Sequence, residues 1–270
     1  MSHFVIPNHT VVGTNVLGEA APLLKKMGNK AFIVTGRHVA VSDMMKQLTA
    51  LLDENGIGCV IFDGITGEPT DTMIEKGVEM LKSSGCDFII GIGGGSPLDS
   101  AKAIAAMAVN EGSIADYNGK EITGEILPLA AIPTTAGTGS EATKFTVITD
   151  SEKGIKMLLK GDVLVPKLAI VDSSFTVGAP KSVTSATGLD ALTHAVEAYT
   201  SRKAFSMTDT LAVSAVKRIM KYLPIAYKEP DNALAREQMS IAALEAGICI
   251  NNSSVTIVHG MSRPIGALFH

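Results

Sequence analysis

The chain of 270 residues lacks several features that mark other classes of protein. It has no tryptophan and only 4% aromatic residues, which favours helices packed on buried parallel strands over an aromatic-rich β-sandwich. No apolar run reaches the roughly eighteen residues that a membrane span requires, and the first residues lack the basic, apolar and small-residue order of a signal peptide. We therefore expect a cytoplasmic protein that does not enter a membrane.

Charge and cysteine content exclude further classes. A net charge of -4 does not suit a protein that binds the nucleic-acid backbone, because such proteins carry clustered Lys and Arg. Cys59, Cys86 and Cys249 are odd in number, distant in sequence and set among apolar residues, which predicts reduced core thiols. With 46% hydrophobic and 19% charged residues, the composition also excludes a mainly disordered chain.

The first two thirds of the chain alternate between short β-branched runs and amphipathic stretches. KAFIVTG, GCVIFDG and CDFIIGIG predict strands, and the apolar spacing at 44–52 and 74–81 predicts helices between them. This βαβαβ order implies an α/β fold with parallel strands and right-handed crossovers. Further predicted strands are LPLAAIP, KFTVITD, IKMLL and LAIVD. Beyond a boundary near residue 178, helices are predicted at 183–199, 208–222 and 233–250.

The most specific local signal is a glycine-rich turn between a buried strand and a helix, DFIIGIGGGSPLDSAK. Ser96 is placed as the helix N-cap, Pro97 as the first helical residue and Asp99 as the capping-box partner. Gly94 and Gly95 have no Cβ, so their backbone N–H groups can approach an anion at the positive end of the helix. A diphosphate fits there; a tight turn that binds nothing is the alternative.

A second polar segment, IPTTAGTGSEAT, follows another predicted strand. Thr134, Thr135 and Thr138 offer hydroxyl groups that suit the phosphates, ribose or nicotinamide amide of a dinucleotide, and a threonine-rich loop without a ligand is the alternative. Because parallel strands end at the same edge of a sheet, the two loops together predict a ligand-binding crevice.

The helical region carries a candidate metal site. Asp190 and His194 are spaced i, i+4 on a predicted helix, so both side chains project from one face. This spacing suits two ligands of one divalent ion, with an ion pair or a core histidine satisfied by an acid as the alternative. His259 is the other histidine of this region apart from the terminal His270. A mixed histidine and carboxylate set fits Fe(II) or Zn better than Mg or Ca.

Four motifs occur in the order GGGSPLDSAKAIA, IPTTAGTGSEAT, ATGLDALTHAVEAYTS and VHGMSRP. Together they resemble the iron-containing (group III) alcohol dehydrogenase family over essentially the whole chain. The resemblance implies a Rossmann-like, parallel-sheet dinucleotide-binding domain at residues 1–178 and an all-helical metal-binding domain at 179–270, which we expect to be truncated. It also implies an oxidoreductase that transfers hydride between NAD(P) and a small primary or secondary alcohol or aldehyde. A homodimer or higher homo-oligomer is the expected assembly.

The resemblance further implies roles for individual residues. Asp190, His194 and His259 match metal ligands, and His259 would act in catalysis through the metal. The positions that match the cofactor site are Gly36, Gly94, Gly95, Ser96, Asp99, Thr134, Thr135, Thr138 and Lys156.

Two departures from the family pattern bear on activity. The family's fourth ligand is a histidine in a Pro-His-Gly segment beyond His270, and a site of Asp190, His194 and His259 alone is expected to bind metal more weakly. The alternative function is a truncated nucleotide-binding fragment without turnover. Many members also carry a histidine, often assigned to proton relay, where this chain has Arg263, so the relay residue is unknown.

Cofactor choice depends on the end of the predicted strand KAFIVTG. An Asp after Thr35 would accept the ribose hydroxyls and repel a 2′-phosphate, as in NAD-preferring members. This chain has Gly36 followed by Arg37, which removes the repulsion and offers a cation. We therefore expect NAD or NADP as cofactor, with NADP favoured; the alternative is that Arg37 only faces solvent.

Overall fold

The structure is a computed structural model that describes residues 3–268. Its strands are β1 (His9–Gly13), β2 (Lys30–Val34), β3 (Gly58–Phe62), β4 (Phe88–Gly93), β5 (Leu129–Pro133), β6 (Phe145–Asp150), β7 (Ile155–Lys160) and β8 (Leu168–Asp172). Its α-helices are α1 (Ala21–Met27), α2 (Arg37–Ala40), α3 (Asp43–Glu54), α4 (Asp71–Ser84), α5 (Gly95–Met107), α6 (Lys181–Thr200), α7 (Ser206–Lys228), α8 (Ala233–Ser253) and α9 (Ile257–Leu268).

Six of the strands form one parallel sheet in the order β1-β8-β5-β4-β2-β3, and β6 and β7 form a separate antiparallel hairpin. All the predicted strands are present, which confirms the α/β class. The strand β1 was not predicted. It lies at the edge of the sheet and is mostly exposed, so its sequence HTVVG lacks the continuous apolar pattern of a buried strand.

The sheet grows in opposite directions from β2 and β4, which lie side by side, with β3 alone beyond β2 and three strands beyond β4. The chain leaves β2 toward β3 on one side and leaves β4 toward β5 on the other side. The crevice between the carboxyl ends of β2 and β4 is therefore the topological switch point, where open α/β sheets bind their ligands.

The sheet is packed on both faces, which explains why its central strands are apolar throughout. Phe32 and Ile89 pack in the cluster on one face, together with Ile104 of α5. Their neighbours Ile33 and Ile90 pack in the cluster on the opposite face, because successive side chains of a strand alternate. The central position of β4, all six of whose residues are buried, holds the following glycine turn in a fixed place.

The helices α6, α7 and α8 confirm the three helices predicted after residue 178. They pack through small side chains, which include Ala191, Ala195, Ala215, Ala242 and Ala246. The helix α9 was not predicted, because its segment VHGMSRPIGAL contains glycines and an internal Pro264 that weaken a helical pattern. The division of the chain into domains at residue 178 stays a prediction; β8 ends at Asp172 and α6 begins at Lys181.

All three cysteines are free, but the expectation that they all lie in the core is wrong for two of them. Cys249 is buried, whereas Cys59 and Cys86 are half-buried. Cys59 lies on the edge strand β3, and Cys86 lies just before β4 begins. Within residues 3–268, no single helix has the length and apolarity of a membrane span; α8 and α9 meet that test only as a pair bent by 99°.

Candidate cofactor and metal cleft

The turn after β4 requires glycine at its first position. Gly93 has a φ of +147°, and a Cβ there would lie 2.7 Å from Cγ of Pro97. The helix α5 begins at Gly95 with Gly94 in extended conformation as its N-cap, and no side chain caps it. The prediction of Ser96 as N-cap and Pro97 as the first helical residue is therefore wrong, because the helix begins earlier, within the glycines themselves.

The predicted glycine and threonine loops lie in contact. The backbone N–H of Thr134 donates to the carbonyl of Gly93 over 2.8 Å. A Cβ on Gly95 would lie 2.8 Å from Cγ2 of Thr138, and one on Gly94 would lie 3.6 Å from Thr135. The structure thus brings the two loops together at the carboxyl edge of the sheet, after the neighbouring strands β4 and β5.

The threonine loop is also pressed against the helical part of the chain. Gly139 has a φ of +63°, and a Cβ there would lie 2.4 Å from the Cα of Gly247 on α8. This backbone contact leaves room only for glycine, so the loop is fixed between the sheet and α8.

Asp99, on α5, links the glycine loop to the segment after the threonine loop. It does not form the predicted capping box. Its carboxylate accepts hydrogen bonds from the Ser140 hydroxyl at 2.6 Å and from the Val147 backbone N–H at 2.8 Å. These partners follow the glycine loop by more than forty residues of sequence, so local spacing could not indicate them. Burial raises the pKa of Asp99, while the nearby Lys102 ammonium acts in the opposite direction.

A buried amine lies beside Asp99. Lys102 donates to the Thr143 hydroxyl at 3.0 Å and to the carbonyl of Phe145 at 2.8 Å, and its side chain is fully buried. Burial lowers the pKa of Lys102 to about 8 and raises the pKa of the neighbouring Glu141 to about 7. The loops therefore rest on a buried layer of ionisable groups.

Gly36 lies at the same edge, just after β2. It forms a bridge with Gly64, and a Cβ on Gly36 would lie 3.0 Å from the carbonyl oxygen of Ile65. The preceding Thr35 is buried and donates its hydroxyl to the carbonyl of Ile92 at 2.8 Å, which ties the end of β2 to β4. Arg37, at the start of α2, is exposed.

The contacts of Lys156 involve residues outside the two loops. It lies on β7, and its ammonium pairs with Glu68 at 2.6 Å. The same ammonium approaches α9, since a Cβ on Gly266 would lie 2.9 Å from it.

The three predicted metal ligands meet on the helical side. Asp190 Oδ1 lies 3.8 Å from His194 Nε2 and 3.5 Å from His259 Nε2, and the two imidazole rings stack with centroids 4.5 Å apart. One donor atom from each residue lies within 4.8 Å of the other two. In both histidines the nitrogen that faces the Asp190 carboxylate is Nε2. His270 lies outside the described residues.

Electrostatics suit this set of donors to a cation. Burial lowers the pKa of His194, so its imidazole is neutral and keeps a free lone pair. Burial acts to raise the pKa of Asp190, but the two imidazoles outweigh it and hold that pKa below its usual value. The carboxylates of Asp190 and Glu197 raise the pKa of His259. The donor set, two nitrogens and one carboxylate oxygen, fits a borderline divalent ion such as Fe(II).

Glu197 joins this cluster and was missed by the sequence analysis. It is buried on α6, and its carboxylate contacts Nδ1 of His259. One signal could have found it, because Asp190, His194 and Glu197 are spaced i, i+4 and i+7 and so share one face of a helix.

A cavity of about 290 Å³ joins the loops to the triad. Its lining includes Gly95, Asp99 and Thr138 from the sheet side, Asp190, His194 and His259 from the helical side, and the apolar Phe145, Val147, Leu158, Ile250 and Val255. Arg263 also lines it, and its Nε donates to the carbonyl of His259 at 3.1 Å. Two loops suited to a dinucleotide and a cluster suited to a metal thus share one cleft.

Comparison with known proteins identifies the family. Residues 7–173 match the model described as iron-containing alcohol dehydrogenase, and residues 184–270 match the model for the C-terminal part of the Fe-containing alcohol dehydrogenase family. The chain belongs to the iron-containing alcohol dehydrogenase family. It is 39% identical over 271 residues to the NAD-dependent methanol dehydrogenase of Bacillus methanolicus, a match that covers 100% of this chain and 71% of that protein.

Solved structures of the iron-containing alcohol dehydrogenase family share the fold. A crystal structure of 1,3-propanediol oxidoreductase superposes with a TM-score of 0.97 at 36% identity, covering 100% of this chain and 71% of the other. Sulfoacetaldehyde reductase from Bifidobacterium kashiwanohense, in complex with NAD+, gives a TM-score of 0.93 at 33% identity and covers 98% and 71%. The predicted family, fold class and enzyme class, an oxidoreductase, are confirmed, and these relatives favour an enzyme over a fragment that only binds nucleotide.

Proposed function

We propose that this chain transfers hydride between a nicotinamide dinucleotide and a small primary or secondary alcohol or aldehyde, with the help of a divalent metal. The observation that carries the proposal is the single cleft in which the glycine and threonine loops face a triad of two histidines and a carboxylate. The family description supports iron, and the name of the Bacillus methanolicus relative supports NAD. The donor set also suits Zn.

The sheet side would bind and orient the dinucleotide. The open backbone of Gly94 and Gly95 lies at the positive end of α5, a helix of 13 residues, which favours the diphosphate. Ser96, Thr135 and Thr138 are partly exposed beside it and offer hydroxyl groups. The other predicted members of the cofactor site are Gly36, Asp99, Thr134 and Lys156. Of these, Asp99 acts by holding the two loops together.

The helical side would hold the metal through Asp190, His194 and His259. When bound, the ion supplies Lewis acidity that stabilises negative charge on the alcohol or carbonyl oxygen. Burial keeps the His194 lone pair free for this purpose. The apolar lining of Phe145 and Val147 leaves few polar partners for water near the reacting carbon.

Arg263 is not a proton relay under this proposal. A guanidinium offers hydrogen-bond donors and no acceptor, so Arg263 has no atom that takes up a proton. The cytoplasmic location and the homo-oligomeric assembly stay predictions.

NADP is the cofactor we propose to be favoured. Gly36 supplies no carboxylate that would repel a 2′-phosphate, and the exposed Arg37 follows it directly at the switch point. An exposed guanidinium pairs well with phosphate oxygens.

The test is turnover by the purified 270-residue chain. It is supplied anaerobically with Fe(II) or Zn, and oxidation of NADH and NADPH is followed with short aldehydes. We expect turnover that depends on the metal. A chain that binds the dinucleotide but shows no metal-dependent turnover would instead support the nucleotide-binding fragment.

A further inference from the structure

The Glu197 carboxylate joins α6 to the segment that begins α9. Its Oε1 accepts hydrogen bonds from the Thr256 N–H at 3.0 Å, the Thr256 hydroxyl at 2.8 Å and the Val258 N–H at 2.8 Å. Its Oε2 contacts Nδ1 of His259. The residue is only 3% exposed, so the charge is compensated by these partners and not by water.

Two of these donors are main-chain N–H groups at the start of a helix. Thr256 precedes α9, and Val258 lies in its first turn, where N–H groups have no intrahelical acceptor. Glu197 satisfies them from a different helix. The contact therefore fixes α9, which carries His259, relative to α6, which carries Asp190 and His194.

The fourth contact determines which nitrogen of His259 carries the proton. An ionised carboxylate has no hydrogen to give, so Nδ1 must donate to Glu197. The lone pair of the neutral ring is then on Nε2, the atom 3.5 Å from Asp190 Oδ1. Histidines that bind metals commonly donate their other ring N–H to a carboxylate in this way, which fixes the tautomer and the ring orientation.

We propose that Glu197 is a positioning residue of the metal site: it holds His259 with Nε2 free and directed toward Asp190, and thereby sets the affinity for the divalent ion. The inference rests on the proposed function, because it assumes that Asp190, His194 and His259 bind the metal.

The variant Glu197→Gln separates this role from a purely structural one. The amide oxygen still accepts from Thr256 and Val258, so the junction with α9 keeps its hydrogen bonds. The amide NH2 then faces Nδ1 of His259 and donates to it, which moves the ring proton to Nε2. Thr256→Val is the matched control, since it removes one hydrogen bond to the same carboxylate without altering the partner of His259.

The measurement is the dissociation constant for Fe(II) and for Co(II), obtained anaerobically by competition with a chromophoric chelator, together with the melting temperature of the metal-free protein. We expect E197Q to bind roughly 10-fold to 100-fold more weakly, with an altered Co(II) absorption spectrum and little change in melting temperature. We expect T256V to lower the melting temperature and leave the affinity unchanged. Wild-type affinity in E197Q, or an equal loss in T256V, would overturn the proposal.

Two further measurements complete the test. If wild type and His194→Ala bind the metal equally, the proposed metal site itself is wrong, which is a different outcome from a failure of Glu197 alone. If E197Q does not fold, the nitrogen-15 chemical shifts of His259 in the metal-free wild type decide, at a pH where the ring is neutral. A proton on Nδ1 supports the proposal, and a proton on Nε2 overturns it.

Discussion

On the sheet side of the cleft the main chain makes the contacts that fix the site, whereas on the helical side the contacts run through side chains. The Thr134 N–H donates to the Gly93 carbonyl, and Gly139 lies against the backbone of Gly247. Across the cleft, Asp190 and His259 meet through polar side-chain atoms, and His194 stacks on His259. The sheet side is a backbone cradle tied by the Asp99 carboxylate, and the helical side is a cluster of polar side chains.

This difference predicts two kinds of failure. An added Cβ in the backbone cradle should strain the fold, because main-chain atoms cannot move aside. A substitution in the side-chain cluster should change what the cleft binds while most of the packing survives.

His194→Ala should abolish metal-dependent turnover. It removes a neutral, buried imidazole, 5% exposed, from a set of three donors. Loss of a Lewis acid that contributes several kcal/mol corresponds to roughly a thousandfold fall in kcat/KM. Metal content after gel filtration and steady-state rates provide the measurement. His9→Ala, an exposed histidine on β1, is the control and should behave as wild type. Retained metal in H194A would refute the assignment.

Gly139→Ala should destabilise the fold by about 3 kcal/mol, from left-handed strain and overpacking together. The φ of +63° disfavours a side chain, and the new Cβ would lie 2.4 Å from the Cα of Gly247. Gly154→Ala is the control, because Gly154 has a φ of +62° but nothing within 4 Å of the added Cβ. Urea denaturation of the metal-free protein compares the two. Equal losses would show that the contact with α8 does not restrict the loop.

Lys102 should make the free energy of unfolding increase with pH in the alkaline range. Burial lowers its pKa in the fold to about 8 from 10.5. Between these values the unfolded chain binds more protons than the folded chain, so the free energy of unfolding increases as the pH rises through this window. Lys102→Met keeps the length of the side chain and removes the titrating amine. Urea denaturation between these pH values should show a smaller rise in K102M, and identical slopes would contradict the assignment.

The sequence was sufficient for features that depend on short-range pattern. Buried strands appear as apolar runs, and the spacing of Asp190 and His194 places both on one face of α6. The capping box predicted for α5 does not form, because the Asp99 carboxylate bonds to Ser140 and Val147, which the fold brings to it from other elements. A capping pattern in sequence does not reveal such competition for the same oxygen atoms.

Glu197 shows the same limit on the helical side. Its partners at 256–259 lie about sixty residues further along the chain, in a helix that the glycine and proline content concealed. The position of His259 opposite α6 came from a family motif and not from any local pattern. The contacts of the candidate site between elements distant in sequence could therefore be found only from the structure.

Arg37, at the far end of the sheet side, should influence the choice of cofactor. Arg37→Gln should reduce the ratio of kcat/KM for NADP to that for NAD by roughly fivefold, which corresponds to the ~1 kcal/mol typical of an exposed charge pair. The effect is small because Arg37 is exposed and water screens its charge, in contrast to the enclosed groups of the triad. Lys46→Gln, which removes an exposed cation paired with Asp43 on α3, is the control and should leave the ratio unchanged. The loss in R37Q should also shrink as salt is added, and a ratio that does not change in R37Q at low salt would mean that Arg37 only faces solvent.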